Sequence, residues 1–316
     1  MAIKLTRNLA ATETPLAESV TRNSNWFTYL LARCLIRSSV RQSYFAWYAY
    51  FRTVDDVADS QTLSEDLRKD LILRQIQIVN TLYDTTDSAG ITMEDPGIAF
   101  LTQLVTFDRA IGQGLLRNQI LDLLSCIDFD IERIGRISPS EDLSKHIERE
   151  TTSYLATLHF FCCPSTYGNA PISPYAGIAA KWTHIFRDFL PDTRQGIINI
   201  GVDEIEHYNI DIRIPHMIAS GSSFRRWLMD KVRYAESYFT KGKQDLCRLR
   251  CLRYKLAVGL LCAKYERYIW NIKRDGYYLR ERYEWDIWSW CYFAFKAVAN
   301  VSAILYRHYY DRAEKR

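Results

Sequence analysis

Turn-forming residues are scarce in this sequence: 13 Gly and 8 Pro in 316 residues leave little for tight turns and favour long helices. One-sided charge is missing as well. The 41 Lys and Arg stand against 37 Asp and Glu, a formal excess of +4, too small to argue for a nucleic-acid partner. No apolar run is long and uninterrupted: Trp288 to Leu305 approaches bilayer length, but Lys296 and Asn300 interrupt it, so a helix in the core or lying at an interface is expected rather than a span. Met1 to Glu18 carries Lys4, Arg7, Glu13 and Glu18 with no apolar h-region; it does not look like a secretory signal, and a cytoplasmic protein, open to peripheral membrane association, is expected. The eight cysteines show no CxxC spacing, so free thiols are the simpler reading than a zinc site. A nucleotide-binding fingerprint is also missing, and no reductive step with NADPH is inferred.

What is abundant is aromatic: 21 Tyr, 14 Phe and 8 Trp, within 48% hydrophobic and 25% charged residues, the balance of a globular protein. Apolar residues recur at helical spacing almost throughout, which predicts an all-α fold. Candidate helices cover 25–36, 39–59, 64–83, 96–106, 112–131, 140–161, 173–190, 221–240, 244–274 and 284–311, with residues 1–24 as an N-terminal arm before one helical domain, 25–316. Ser64 before Glu65 and Asp66, and Ser140 before Glu141 and Asp142, read as N-caps followed by first-turn acids. The stretch from Gly196 to Ser223 has no helical pattern and is expected to be a mobile loop. The aromatic stripe Trp285, Trp288, Tyr292 and Phe295 reads as core.

Two acidic motifs carry the chemistry. In Tyr48-Ala-Tyr-Phe-Arg52-Thr-Val-Asp55-Asp56-Val-Ala-Asp59, Asp55 and Asp59 are four apart and share a helix face, with Arg52 one turn earlier. Like charges at that spacing repel, so a helix that keeps them has reason to bind a cation; hard oxygen ligands beside an arginine suit Mg²⁺ and phosphate oxygens. A solvated acidic face is the plain alternative. The second motif, His184-Ile-Phe-Arg187-Asp188-Phe-Leu-Pro-Asp192, again offers an arginine and two aspartates four apart. Two such motifs facing each other across a bundle would hold Mg²⁺ ions that neutralise a diphosphate, and the implied chemistry is departure of diphosphate from an allylic carbon.

These residues resemble a known family. The first motif is similar to the YAFxRxxDDxxD segment of squalene and phytoene synthases, and Tyr175-Ala-Gly177-Ile-Ala179 leading to Thr183, Ile185, Arg187, Asp188 and Asp192 is similar to the approach to their second motif. Tyr265, Ile272, Asp275-Gly276-Tyr277 and Arg282 follow in the family's order, so the resemblance covers about residues 25–285. It implies a single-domain, all-α isoprenoid-synthase (class I terpenoid synthase) bundle with a central cavity, using Mg²⁺ and a prenyl diphosphate substrate. It implies Asp55, Asp59, Asp188 and Asp192 as metal ligands. Arg52, Arg187, Tyr265 and Arg282 would contact diphosphate, with Arg41 and Tyr48 supporting the first site.

The departures bear on the acceptor. Lys181 and His184 stand where the family commonly has Gln and Asn; each is a candidate base or acceptor-orienting group, or a structural neighbour of the site. Pro191 disfavours helix at Leu190, so Asp192 is not expected one clean turn below Asp188. Gly196 is followed by Ile197, Asn199 and Gly201 where the family reads GRxYxP, and Glu150-Thr-Thr-Ser-Tyr154-Leu155 replaces a small-residue segment. Asn25-Trp26-Phe27 replaces a Ser-Phe pair. The expectation is a retained ionisation site with an altered acceptor side, which takes a second prenyl diphosphate or another small-molecule acceptor. A class I terpene cyclase and a catalytically silent binding protein are the alternatives.

Overall fold

Local capping chemistry starts several helices where the sequence marks them. In the computed structural model, which describes residues 16–60, 62–85, 96–111, 114–164, 172–213 and 215–313, Ser64 accepts the Leu67 amide on its Oγ at 3.3 Å, and Glu65 and Asp66 occupy the first turn. Asn25 accepts the Thr28 amide at 3.1 Å and starts the helix after it. In chain order the helices are α1 (residues 16–24), α2 (Trp26–Leu35), α3 (Ser38–Ala58), α4 (Glu65–Asp84), α5 (Pro96–Ile111), α6 (Arg117–Glu132) and α7 (Ser140–Cys162). They continue as α8 (Tyr175–Arg194), α9 (Val202–Tyr208), a 3₁₀ turn (Pro215–Ser220), α10 (Ser222–Leu246), α11 (Leu252–Arg274) and α12 (Ile287–Ala313). Among the described residues there is no strand, in agreement with the all-α expectation.

The described residues fall into two compact units, one within Met1–Ile131 and Ala156–Tyr167, the other within Glu132–Leu155 and Gly168–Arg316. The first is built on aromatic packing: Tyr44, Phe45, Trp47 and Tyr50 of α3 are buried, as are Phe100 and Leu104 of α5 and Phe160 and Phe161 of α7. Phe161 meets Tyr44 edge to face at 5.4 Å and stacks on Phe107 at 6.2 Å. In the second, α8 packs on α10 and α11, and α11 on α12. Gly242 lets α10 reach the α8 backbone, because a Cβ there would lie 2.6 Å from the Ala176 nitrogen. Gly177 likewise admits α7: its Cβ would lie 2.7 Å from Thr151 Cβ. Trp182, Phe186, Phe189, Phe224 and Trp227 fill the space around α8.

Several expectations are corrected. Helix α8 does not stop before Pro191 but runs on to Arg194. The proline leaves the Arg187 carbonyl without an amide donor, while buried Phe189 and Thr193 on either side anchor the last turns, and Thr193 Oγ1 donates to the Phe189 carbonyl at 2.6 Å. The stretch 196–223 contains α9 and the 3₁₀ turn. It is tied down by Asp203, which accepts from the Ser140 amide at 2.8 Å and from its hydroxyl at 2.5 Å. Trp288 and Phe295 are 68% and 69% exposed, so that part of the aromatic stripe is surface rather than core. Among the described residues no helix is long and apolar enough to cross a membrane. Cys34, Cys247, Cys262 and Cys291 are free thiols, whereas Cys163 and Cys251 are disulfide-bonded.

Candidate functional site

The first motif lies at the C-terminal end of α3. Asp59 caps the helix, its amide donating to the Asp55 carbonyl at 2.8 Å, and Arg68 Nη1 donates to the neighbouring Ala58 carbonyl at 3.0 Å. A helix C-terminus is the negative end of its dipole, so carboxylates are disfavoured there. Arg52 is divided between two of them: Nη1 donates to Asp55 Oδ2 at 3.2 Å, and Nη2 to Asp56 Oδ1. Burial tends to lower the Arg52 guanidinium, and Asp55 and Asp56 outweigh it and raise it. The Asp59 carboxyl is held above its ordinary range by burial, opposed by Arg52 and reinforced by Asp130 and Asp56. Tyr48 is raised chiefly by burial and hydrogen bonds to the Asn25 side chain. Arg41 Nε and Nη2 both donate to the Ile36 carbonyl, at 3.3 and 3.0 Å, so it caps the α2 to α3 turn.

The second motif is arranged differently. Arg187 lies beside Asp188 in sequence and forks onto it, Nε to Oδ1 at 2.6 Å and Nη2 to Oδ2 at 2.5 Å. Burial alone would raise Asp188, but the Arg187 hydrogen bond and charge hold it below the usual carboxylate range. His184 Nε2 lies 3.3 Å from Asp188 Oδ2 and also against Arg187 Nη2. Although 40% of the His184 side chain meets solvent, the imidazole is pushed down to about 3, by desolvation first and Arg187 next. It is neutral at neutral pH. Asp192 accepts Asn199 Nδ2 on Oδ2 at 3.3 Å, and its carbonyl accepts the Gln195 and Ile197 amides, so it also organises the loop after α8. Lys181 Nζ bridges both oxygens of Glu150, at 2.8 and 2.6 Å, so two departures from the family pattern form one ion pair.

Helix α11 carries Tyr265, which the resemblance named, and Lys264 and Arg267, which sequence reasoning missed. Tyr265 sits edge-on to His184 at 6.2 Å, and its phenol is pushed up to about 12 by burial, against the pull of Arg187. Lys264, on the preceding position, is pushed down to about 8 by burial and then by Arg187 and Arg267. The Arg187 and Arg267 guanidinium carbons lie 5.6 and 4.0 Å from the centre of one ring, Tyr268. The sequence signal was the i, i+3 spacing of Lys264 and Arg267, each followed by a tyrosine, in a helix that carries several other charged residues. Arg282 is exposed in the segment after α11. On another face of α8, Tyr175, Ile178 and Trp182 join Tyr234, Tyr238 and Tyr254 around a cavity of about 850 Å³.

Among the described residues no three His, Cys, Asp or Glu side chains are grouped as a metal centre. The donor chemistry of the two motifs nevertheless differs. Hard carboxylates crowded at the negative end of α3, with one arginine split between two of them, fit a divalent cation such as Mg²⁺. Asp188, both of whose oxygens already accept from Arg187, does not fit one in this arrangement.

An all-helical chain with these motifs has the isoprenoid-synthase type of fold. The chain belongs to the squalene/phytoene synthase family, whose model matches residues 25–289. Among solved structures, squalene synthase HpnC from Alicyclobacillus acidocaldarius is similar over 86% of this chain and 97% of its own, with a TM-score of 0.67 at 18% identity. A dehydrosqualene synthase in complex with a ligand is similar over 93% and 98%, with a TM-score of 0.71 at 14% identity. At such identities the likeness concerns the fold. No curated protein sequence matches the chain. Family membership implies an enzyme of the prenyltransferase type.

Proposed function

We propose that this chain is a Mg²⁺-dependent prenyltransferase that ionises an allylic prenyl diphosphate and joins the carbocation to an acceptor, either a second prenyl diphosphate in head-to-head coupling or a changed acceptor without diphosphate. The observation that carries the reading is the crowding of Asp55, Asp56 and Asp59 at the C-terminal end of α3, with Asp59 held above its ordinary range. Mg²⁺ held by Asp55 and Asp59 would offset charge on the departing diphosphate. Arg52 orients those carboxylates, and Arg187 and Tyr265 supply donors to phosphate oxygens. Tyrosine faces of the second unit are suited to cationic character on the substrate. His184, in contact with Arg187 and near Asp188, is read as a positioning group. Lys181, engaged by Glu150, has the same standing.

A second reading, a class I terpene cyclase acting on one prenyl diphosphate, is favoured by one observation: Thr151 and Leu155 pack directly on Gly177, where the resemblance implies room for a long chain. For either reading, the exposed Trp288, Phe295, Tyr306 and Tyr309 of α12 are the face proposed for peripheral membrane contact. The test is to incubate the protein and Mg²⁺ with prenyl diphosphates of one to four isoprene units and analyse organic extracts by mass spectrometry. A coupled product supports the prenyltransferase; a cyclic product of unchanged carbon number selects the cyclase. An untouched substrate throughout refutes both.

A further inference from the structure

On α8, Tyr175, Ile178 and Trp182 are spaced three and four apart and share a face that Lys181, His184 and Asp188 do not. That face borders the cavity of about 850 Å³ shared with α7, α10 and α11, and among the described lining residues none belongs to either acidic motif. Buried Ile147, Ile178, Trp182, Leu246 and Val258 make its walls apolar. Tyr238 adds its ring with those of Tyr175 and Tyr234, their centres 5.0 and 4.2 Å from its own. Apolar and aromatic walls around this volume are the make-up of a small-molecule site.

Charge selects the kind of molecule. Arg248 is the one cation among the described lining residues, and it is paired with Asp245 at 3.3 Å, while Glu148 is a second carboxylate. A diphosphate would therefore meet two carboxylates and an arginine already engaged. An organic cation would meet ammonium groups on the same rings, since Lys231 Nζ lies 4.5 Å from the Trp182 ring centre and Lys241 Nζ 5.0 Å from that of Tyr238. An uncharged molecule meets neither opposition, and the tyrosine hydroxyls can donate to or accept from a hydroxyl on it.

We infer that this cavity is a second binding site, separate from the two motifs, for an uncharged isoprenoid: an apolar chain that carries a hydroxyl rather than a diphosphate. The isoprenoid part rests on the function proposed above. Departure of diphosphate turns a charged substrate into an apolar product that water solvates poorly, and the cavity separates the two by charge, admitting the uncharged molecule and opposing the diphosphate.

The experiment uses the full chain and, as probe, the prenyl alcohol of three isoprene units. Calorimetry follows its binding, and a photoactivatable form of the same alcohol, with mass spectrometry of the labelled peptides, shows where it binds. Label is expected on the start of α8 and on α10 from Tyr234 onward, and it is expected to survive an excess of the corresponding diphosphate in EDTA. Leu249 lines the cavity just after α10 and is half-buried. Leu249→Trp is expected to fill the space and weaken alcohol binding by about 10-fold or more, with kcat/KM for an allylic diphosphate unchanged. Tyr238→Ala removes a wall and is expected to act in the same direction; it serves if Leu249→Trp does not fold. Three results overturn the inference: no alcohol binding by the wild type, binding untouched by either cavity variant, or label that falls on the motif peptides or is lost to the diphosphate. The two readings fail separately. Alcohol binding at the cavity without turnover of any allylic diphosphate removes the functional reading alone, and turnover without binding at the cavity removes this inference alone.

Discussion

The two acidic motifs use the same residue types and reach opposite electrostatic states. In the first, Arg52 lies three residues before Asp55 and is divided between Asp55 and Asp56, leaving Asp59 at a helix end already negative. In the second, Arg187 is adjacent to Asp188 and takes both of its oxygens, while Lys181, Lys264 and Arg267 surround the pair with further positive charge. Motif spacing places carboxylates on a helix face. Whether those carboxylates remain available to a cation depends on where the arginine stands and on what neighbouring helices bring.

The largest test of this contrast is catalytic. Asp59→Asn should lower kcat/KM by about 100-fold or more, whereas Asp188→Asn should cost about 10-fold, both measured with Mg²⁺ and an allylic prenyl diphosphate; equal losses would erase the distinction. Gly242→Ala disturbs the frame of the second motif without touching its charges, since its Cβ would meet the Ala176 backbone at 2.6 to 2.8 Å. Overpacking there should cost about 2 to 3 kcal/mol in chemical denaturation.

Protonation separates the motifs by sign. Asp59 has a raised folded pKa, so its ionised form opposes folding at neutral pH, and metal-free Asp59→Asn should melt at a higher temperature than wild type, a gain that vanishes below the ordinary carboxylate range. Asp188 has a lowered pKa; it adds stability above the unfolded value that is lost as pH falls through the folded one, and Asp188→Asn should melt lower at neutral pH. Addition of Mg²⁺ should raise the melting temperature of wild type and Asp188→Asn but not of Asp59→Asn. The smallest effect is expected for Lys181→Met, which breaks the Glu150 pair and should cost about 1 kcal/mol.

Much of this was legible along the chain because its causes are local. Ser64 with Glu65 and Asp66 marks a helix start within four residues, and the apolar period of α3 or α8 repeats over several turns. Both DxxxD motifs are visible for the same reason. What escaped depends on distant partners or on competition between local and tertiary terms. Lys181 meets Glu150 across 31 positions, and nothing in the local pattern of Lys264 and Arg267 points to Arg187, a distant residue in the chain. Pro191 argued for a helix end, and the burial of Phe189 and Thr193 overrode it. The 7-residue α9 is too short to show a period, and an aromatic stripe on α12 does not say which of its sides meets solvent.

The most direct test of the account is diphosphate release by the wild-type protein from allylic prenyl diphosphates, with and without Mg²⁺ and with and without a second prenyl diphosphate. The account predicts release that requires Mg²⁺. No release from any allylic substrate under any of these conditions would contradict it.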